Sequence, residues 1–491
     1  MRKGLLIIHI DGLSYQTIKR AVAAGKMPFI QSLLNNEYEL LSYRCGLPST
    51  TPFCQAGILY GDNHNIPSFR WWDKESGILV AFGANSSFSK VAHKYFQKSK
   101  PLIENGACIS ACYSGGAKET FGLAFEERNS KETFFPKELR KLAVFLVNPK
   151  HFVFWLLNGL WVLIGLNRQY LKAKLTGKRA DKTYVFSQIL QDIFLHQLTK
   201  YCVRQAVVKS YPIIYAGFYA YDETAHAFGS QSKYSLNILK HLDDDVKNIY
   251  LFDKTNGKRN YDLLILSDHG QVETIPFEDK YQETLGQAIS KWLPTYHVVE
   301  HRGRDIPPRD DATDGQIVIT YSGGLGHLYF QTLSGKLDLS IINEKFPGLI
   351  SKMAKHPGIE FVLVKDGKED NLFSSQGRFN LSDKKATAFL RKYDEPEIIK
   401  RQLQRLNSFE TSGDLIIFGK WLDGQQINFE HQVGGHGSIG GEQLHPFLLV
   451  KKEWKVDTSR VENSQDLYPI LKKIRDDLLP SEKSLTQEFR Q

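Results

Sequence analysis

The sequence predicts an α/β protein with a mostly parallel central sheet sandwiched by helices and interrupted by two insertions. Three observations predict this class. Short apolar runs without an alternating polar face recur along the chain, as expected of strands that are buried on both faces. Helical patterns accompany them over residues 15–35, 231–252 and 394–407. Two long intervals, 115–210 and 272–410, break this rhythm.

The apolar runs are the predicted strands of the sheet. They are GLLIIHI at 4–10, PIIYAGFYA at 212–220, DLLILS at 262–267, DLIIFG at 414–419 and PFLLV at 446–450. We therefore predict a core in three parts, 1–114, 211–271 and 411–491, the last ending in a helix. Insertions in an α/β sheet leave from loops, and ligands bind at the carboxyl ends of the strands. The intervals 115–210 and 272–410 are accordingly interpreted as caps over an active site.

The composition is that of an ordinary folded protein. Of 491 residues, 42% are apolar and 24% are charged. The net charge of +9 permits binding to phosphates, nucleic acid or anionic lipid without selecting among them. Five cysteines without paired CxxC spacing argue against a disulfide framework or a structural zinc site. The apolar run before Asp11 is too short for a signal peptide, so a cytoplasmic protein with reduced thiols is expected.

The first interval contains HFVFWLLNGLWVLIGL, residues 151–166, which has no formally charged residue. As a helix it would be about 24 Å long, which is short of the roughly 30 Å hydrocarbon core of a membrane. Six cations and a single acid follow it: Arg168, Lys172, Lys174, Lys178, Arg179 and Lys182, with Asp181. This pattern fits docking onto an anionic surface at the inner face of the membrane. It fits a buried cap hairpin or an oligomer contact equally well, and both interpretations stay open.

Acids and histidines stand at the ends of the predicted strands, where an α/β active site draws its ligands. They are Asp11 followed by Gly12, Asp222 and His226 in YAYDETAHAFG, Asp268 and His269 in SDHG, and His436 in VGGHGSIGG. Each alone is explained by a helix cap, a turn or a satisfied polar group, but four such signals in one chain indicate a site. Carboxylates and imidazoles suit zinc or manganese better than calcium or magnesium.

A hydroxyl-rich loop, GLPSTTPFCQAG at 46–57, precedes a predicted helix. Pro52 suits the first helical position, which makes Thr51 the predicted N-cap. The N–H groups at a helix N-terminus form a natural anion site. Thr51 is therefore either a cap only or a nucleophile that attacks a bound anion, and this stretch alone does not decide between them.

The ordered set Asp-Gly, P-x-x-T, D-x-x-x-H, S-D-H-G and G-x-H-G resembles the alkaline phosphatase superfamily, and most closely its type I phosphodiesterase and nucleotide pyrophosphatase branch. The resemblance covers residues 4–80, 211–271 and 412–450. It implies an alkaline phosphatase-like fold, two divalent metal ions and Thr51 as a nucleophile that forms a phospho-threonine intermediate. The implied ligand sets are Asp11, Thr51, Asp268 and His269 for one metal, and Asp222, His226 and His436 for the other.

The sequence also departs from that branch. Cys54 and Gln55 stand where nucleotide pyrophosphatases have an Asn-His pair. The phosphate-binding asparagine of the branch has no clear counterpart, although Asn63 and Asn65 are near, and no aromatic clamp for a base is identifiable. A nucleotide substrate is therefore not expected, and neither is a nucleic acid partner.

We expect a metal-dependent hydrolase that cleaves a phosphodiester or phosphoanhydride. Zinc is favoured over manganese as its metal. If residues 151–182 dock onto a membrane, the substrate is expected to be a lipid-linked phosphate. A phosphomonoesterase or a cofactor-independent phosphomutase of the same superfamily is the alternative. A mutase needs cap cations such as Arg302, Arg304 and Arg309. From another class, the alternative is a membrane-surface scaffold that retains a structural metal site.

Overall fold

The fold is taken from a computed structural model of the chain. It describes residues 2–81, 95–96, 99–122, 157, 196–301, 316–331 and 333–479. Within these ranges, no helix combines the length and the apolar character needed to cross a membrane.

Strands and helices alternate along the described part of the chain. The strands are β1 (Arg2–Ile10), β2 (Tyr38–Ser42), β3 (Arg70–Asp73), β4 (Ile78–Ala81), β5 (Ala107–Ile109), β6 (Glu119–Phe121), β7 (Ile213–Phe218), β8 (Arg259–Leu266), β9 (Val272–Pro276), β10 (His297–His301), β11 (Gln316–Ser322), β12 (Leu325–Phe330), β13 (Ile359–Asp366), β14 (Glu369–Ser374), β15 (Gly377–Asn380), β16 (Leu415–Gly419), β17 (Trp421–Leu422), β18 (Gln425–Asn428), β19 (Gly434–Gly435) and β20 (Phe447–Lys451). The helices are α1 (Tyr15–Ala23), α2 (Pro28–Asn35), α3 (Thr51–Tyr60), α4 (196–208), α5 (Ala220–Phe228), α6 (Lys233–Asn256), α7 (Phe277–Tyr281), α8 (Leu285–Trp292), α9 (Leu339–Lys345), α10 (Leu349–Lys355), α11 (Lys384–Leu390), α12 (Pro396–Ser408) and α13 (Ser464–Leu478).

The central sheet has seven strands in the order β2-β20-β8-β1-β7-β5-β6. β8, β1, β7, β5 and β6 pair in parallel, whereas β20 is antiparallel to both β8 and β2. A single strand of the sheet thus runs against the other six. The predicted class, α/β with a mostly parallel central sheet, is confirmed.

Both faces of the central sheet are covered by helices, which explains why the middle of β1, residues 5–8, is apolar on both faces. Leu5 and Ile7 point into a cluster with residues of α3 and α13, while Leu6 and Ile8 point into a cluster with residues of α1, α2, α4 and α6. A strand buried on two faces has no polar face to present, so the run reads LLIIHI.

A second seven-stranded sheet, in the order β10-β11-β12-β16-β13-β14-β15, is built mainly from the second interval. Its centre is β16, which pairs antiparallel with β12 and β13. The prediction that residues 414–419 form a strand is correct, but its assignment to the central sheet is wrong. An apolar run specifies burial on both faces, and the middle of either sheet provides that.

The first interval is described only at 115–122, at Leu157 and from 196 onward. The apolar segment 151–166 and the cations of 168–182 therefore lie outside the described residues, apart from Leu157, whose side chain is exposed. Arg302, Arg304 and Arg309 also lie outside them. The division of the chain into a core and two caps stays a prediction.

Candidate metal centre

Parallel neighbours bring the predicted acids to one edge of the central sheet. β8, β1 and β7 lie side by side, so their carboxyl ends meet at that edge. Asp11 directly follows β1, and Asp268 stands two residues past β8. Helix α5 begins just after β7 and carries Asp222 and His226 one turn apart on the same face. Four side chains separated by up to 257 positions in sequence are thereby collected at one place.

Thr51 is the first residue of α3, and Thr50 is its N-cap in an extended conformation. The predicted cap was Thr51, so that assignment is wrong by one residue. Proline is tolerated at either of the first two helical positions, because neither N–H has a partner within the helix, and Pro52 therefore does not fix the boundary. The correction places Thr51 inside the first turn, where its own side chain is free of a capping role.

Thr51 lies against one set of predicted ligands. Its Oγ1 is 3.1 Å from Nε2 of His269. The same Nε2 is 3.6 Å from Oδ1 of Asp11 and 3.6 Å from Oδ2 of Asp268. All four side chains are buried. We call this set, Thr51, Asp11, Asp268 and His269, the nucleophile cluster.

The other predicted ligands form a second set beside it. Asp222 Oδ2 is 3.1 Å from Nε2 of His226, and its Oδ1 is 3.8 Å from Nε2 of His436. The rings of His269 and His436 are stacked with centroids 3.8 Å apart, which joins the two sets. We call Asp222, His226 and His436 the helix cluster. The structure thus brings all seven predicted residues together, and their role as metal ligands stays a prediction.

Backbone carbonyls fix the tautomers of the three histidines. Nδ1 lies 2.9 Å from Gly434 O in His226, 3.0 Å from Gly270 O in His269 and 2.7 Å from Ser49 O in His436. A carbonyl oxygen can only accept, so each Nδ1 carries a proton and donates it. Nε2 is therefore the nitrogen that each ring directs toward the carboxylates and that is left to bind a metal, as in ligand histidines.

The carboxylates of the nucleophile cluster lack the partners that buried charges need. Asp11 Oδ1 and Asp268 Oδ2 are buried and accept no hydrogen bond from any residue that the structure describes. Burial and the neighbouring Asp268 raise the pKa of Asp11 well above its ordinary value. For Asp268, burial acts to raise the pKa. The opposing effect of His269 and His9 is larger and lowers the pKa overall, so this acid stays ionised. Orphaned oxygens beside imidazole lone pairs are a donor set that fits a divalent cation such as zinc or manganese.

The helix cluster has the same character. Burial acts to lower the pKa of His226, yet the carboxylate of Asp222 outweighs it and raises that pKa to about 9. Burial and then His269 lower the pKa of His436 to about 3. A buried acid that holds a proton on one imidazole would exchange that proton for a metal ion, because ligand histidines bind in the neutral form.

Glycines allow the loops around the site to approach each other closely. A β-carbon on Gly323, in the turn between β11 and β12, would lie 1.9 Å from the carbonyl oxygen of His436. One on Gly437 would lie 2.4 Å from the carbonyl oxygen of Ser322. The second sheet thus packs directly against the VGGHGSIGG loop and supports His436. These two contacts leave no room for a side chain at Gly323 or Gly437.

Three functional candidates were missed by sequence reasoning. His9 Nε2 is 2.9 Å from Oδ1 of Asp268, and Gln55 contacts the other nitrogen of His9. Gln271 Nε2 donates to the carbonyl of Asp222 at 2.9 Å and also contacts its carboxylate. His9 had a readable signal, because it is the polar residue of an apolar strand and, two positions before Asp11, shares its face.

Asn63 is buried and already engaged. Its amide nitrogen donates to Asn463 at 2.8 Å and Ser464 at 3.0 Å, while its oxygen accepts from Arg405 at 2.8 Å. Asn65 accepts through Oδ1 from the backbone of Glu410. The amide of Asn63 is therefore not available to a phosphate, whereas Asn65 is engaged through its oxygen alone.

The comparisons with known proteins identify the family of the chain. The profile of the family described as type I phosphodiesterase/nucleotide pyrophosphatase matches residues 5–319, and these include both clusters except His436. Phosphonoacetate hydrolase from Sinorhizobium meliloti 1021, solved with phosphonoformate, has a TM-score of 0.51 at 13% identity, covering 96% of each chain. Murine ectonucleotide pyrophosphatase/phosphodiesterase 5 has a TM-score of 0.48 at 12% identity, covering 96% of this chain and 95% of that one. No curated protein sequence matches significantly.

Proposed function

Because the chain belongs to the type I phosphodiesterase/nucleotide pyrophosphatase family, whose members hydrolyse phosphoric esters, we propose that it cleaves a phosphodiester or phosphoanhydride with Thr51 as the nucleophile. One observation carries this proposal. The hydroxyl of Thr51 stands at the start of α3, within 3.1 Å of an imidazole nitrogen that also faces Asp11 and Asp268. The hydroxyl is thereby placed among groups suited to a metal ion, which a helix cap alone does not require.

The family is typically dependent on divalent metal ions, and two groups of side chains lie close enough together to hold one: Asp222 with His269 and His436, and Asp11 with Asp268 and His9. In our proposal the nucleophile cluster holds one ion and the helix cluster holds the other. Zinc is favoured over manganese, because three imidazoles contribute to the donor set. When bound, the ions would stabilise negative charge on the phosphoryl oxygens and lower the pKa of the threonine hydroxyl.

The residues of the chain then perform the following steps. Thr51 Oγ1 releases its proton to water and forms a bond to phosphorus while the bond to the leaving oxygen breaks, and the leaving oxygen takes up a proton from water. The unpaired N–H groups in the first turn of α3 stabilise the equatorial oxygens. Water next attacks phosphorus from the opposite side and releases a proton, the bond to Oγ1 breaks, and Oγ1 takes up a proton that restores the hydroxyl of Thr51.

The substrate we propose is a non-nucleotide ester with a lipid-linked phosphate. Cys54 and Gln55 replace the Asn-His pair of nucleotide pyrophosphatases, and Asn63 is engaged inside the protein. The lipid proposal rests on the sequence of residues 151–182 alone, in which an aromatic apolar segment precedes six cations.

A paired assay tests the activity. Metal-loaded protein is incubated with bis(p-nitrophenyl) phosphate and with p-nitrophenyl phosphate, and the Thr51→Ala variant serves as the background. Threonine-dependent turnover of the diester supports the proposal. Preference for the monoester would support the phosphomonoesterase alternative instead. Bound metal without turnover of either ester would identify the scaffold.

A further inference from the structure

A chain of buried polar contacts leads from the backbone to the nucleophile cluster. The N–H of Cys112 donates to Oε1 of Gln55 at 2.8 Å. Nε2 of the same amide donates to Tyr219 Oη at 3.1 Å and lies 3.2 Å from Nδ1 of His9. Nε2 of His9 in turn lies 2.9 Å from Oδ1 of Asp268. His9 and Gln55 are both completely buried, so water does not compete for these contacts.

The identity of the first donor fixes which atom donates and which accepts in every contact of this series. A backbone N–H can only donate, so the atom of Gln55 that faces Cys112 is the amide oxygen. The amide nitrogen therefore faces His9, and since that nitrogen can only donate, Nδ1 of His9 is the accepting nitrogen. The proton of the imidazole is then on Nε2, facing Asp268. Tyr219 does not affect this assignment, because a hydroxyl can donate or accept.

This tautomer is opposite to that of the other three histidines. His226, His269 and His436 donate through Nδ1, which leaves Nε2 as the nitrogen for a metal, whereas His9 accepts through Nδ1 and carries its proton on Nε2. A nitrogen that carries a proton cannot bind a metal. The group formed by His9, Asp11 and Asp268 is close enough for one ion, but its imidazole turns an N–H rather than a lone pair toward the carboxylates.

We propose that His9 is a positioning residue that directs Asp268 toward the metal ion; the inference rests on the proposed function. Oδ1 of Asp268 accepts from the N–H of His269 at 3.0 Å and is the oxygen that His9 faces. Oδ2 has no partner and is directed toward His269 Nε2. Donors on one oxygen leave the other as the ligand. The N–H of His9 is not aligned for a good hydrogen bond to Oδ1. It therefore acts on Asp268 mainly through the attraction between the N–H dipole and the charge of the carboxylate.

Two substitutions separate this role from coordination. His9→Gln retains an amide N–H where Nε2 stands, whereas His9→Leu fills the space without a donor. The measurements are Co²⁺ affinity by titration calorimetry and the visible d–d spectrum of the Co²⁺ protein. Outer groups that orient a ligand are typically worth 10- to 100-fold in metal affinity. We expect His9→Leu to lose about that much, and His9→Gln to stay within about threefold of wild type with an unchanged spectrum.

Tyr219→Phe is the matched control, because the hydroxyl it removes does not determine which nitrogen of His9 carries the proton. Its Co²⁺ affinity is expected to equal that of wild type. The proposal is overturned if both His9 variants lose affinity equally, if His9→Leu binds like wild type, or if His9→Gln shifts the spectrum, which would identify His9 as a ligand. Melting of the metal-free variants separates misfolding from lost affinity. Wild-type protein that binds Co²⁺ but cleaves no ester would refute the proposed function and leave this inference standing.

Discussion

Gly12 and Asp222 are in such close contact that a β-carbon on Gly12 would lie 2.1 Å from Oδ1 of Asp222. Gly12 also has a φ of +70°, which side chains rarely adopt. The loop after β1 therefore passes directly beneath the first turn of α5. This contact is what brings Asp11 of the nucleophile cluster close to Asp222 of the helix cluster.

We expect Gly12→Ala to displace Asp222 and to lower turnover at least 100-fold, with loss of about one metal ion per chain. Since a 1 Å misplacement of a catalytic group can cost two decades in rate, a clash at 2.1 Å is sufficient. Metal content and diester turnover measure the effect. Gly25→Ala is the control, because its φ of +67° is equivalent but nothing lies within 4 Å of the added carbon. If the two variants behaved alike, backbone strain rather than the contact would be the cause.

Thr51→Ala is expected to fold, retain its metal and lose several decades of turnover, because the nucleophile is absent. Thr51→Ser should be much milder, since it retains the hydroxyl at the start of α3. The measurements are the rate of diester hydrolysis and metal content by mass spectrometry. A Thr51→Ala rate above about a tenth of wild type would show that water attacks phosphorus directly.

The site was largely predictable from sequence because its residues lie next to recognisable strands. Residues 5–8 before Asp11 and 263–266 before Asp268 are apolar without alternation, and strands with that pattern occupy the middle of a parallel sheet, where ligands collect at the carboxyl edge. The DxxxH spacing placed Asp222 and His226 on one helical face. The resemblance to the family supplied the roles.

The missed features depend on contacts between distant parts of the chain. The sequence of 414–419 predicts a buried strand but not its neighbours, and β16 lies in the second sheet. Gln55 and Cys112 are 57 positions apart, and the direction of the His9 proton depends on their hydrogen bond. No local pattern carries that information. The one-residue shift of the α3 cap reflects how little one proline restricts a helix start.

The buried His327 leads us to expect that the folded protein loses stability in acid. It is completely buried in β12, where Nε2 lies 2.9 Å from Pro67 O and Nδ1 accepts from the N–H of Gly413 at 3.1 Å. Burial, together with the charge of Lys336, lowers its pKa from the ordinary 6.5 to about 3. The folded state holds this imidazole neutral while the unfolded chain takes up a proton below pH 6.5. Its contribution is therefore complete above pH 6.5 and is lost as the pH falls toward 3.

We expect this loss to amount to about 2 kcal/mol between pH 6.5 and pH 5, at about 1.4 kcal/mol per pH unit. His327→Gln removes the titrating group, so its urea midpoint should fall less steeply over that interval than the wild-type midpoint. Because the variant is expected to be less stable than wild type at pH 7, the comparison is between the slopes of the urea midpoint against pH and not between the midpoints themselves. Parallel slopes would show that His327 does not titrate on unfolding.

The membrane proposal predicts two different salt dependences. Each cation near an anionic surface adds about 1 kcal/mol of binding free energy, and salt screens it. Replacing Lys172, Lys174 and Lys178 by Gln should weaken cosedimentation with phosphatidylserine vesicles and reduce its sensitivity to salt. Trp155→Ala with Trp161→Ala should weaken it at every salt concentration. Equal partitioning of wild type and the tryptophan double variant would refute docking through 151–166.

Removal of metal is expected to reverse the stability order of wild type and Asp11→Asn. Asp11 Oδ1 is buried without a partner beside the ionised Asp268, so without a cation the two acids repel each other. In the presence of a chelator at pH 8, Asp11→Asn should therefore melt at or above the temperature of wild type. With zinc at a hundredfold excess over its dissociation constant, binding adds about 2.7 kcal/mol to the wild type. The variant has lost a charged ligand and gains less, so wild type should then melt higher. If Asp11→Asn instead lowered the melting temperature equally with and without metal, Asp11 would be a structural acid and the nucleophile cluster would not hold an ion through it.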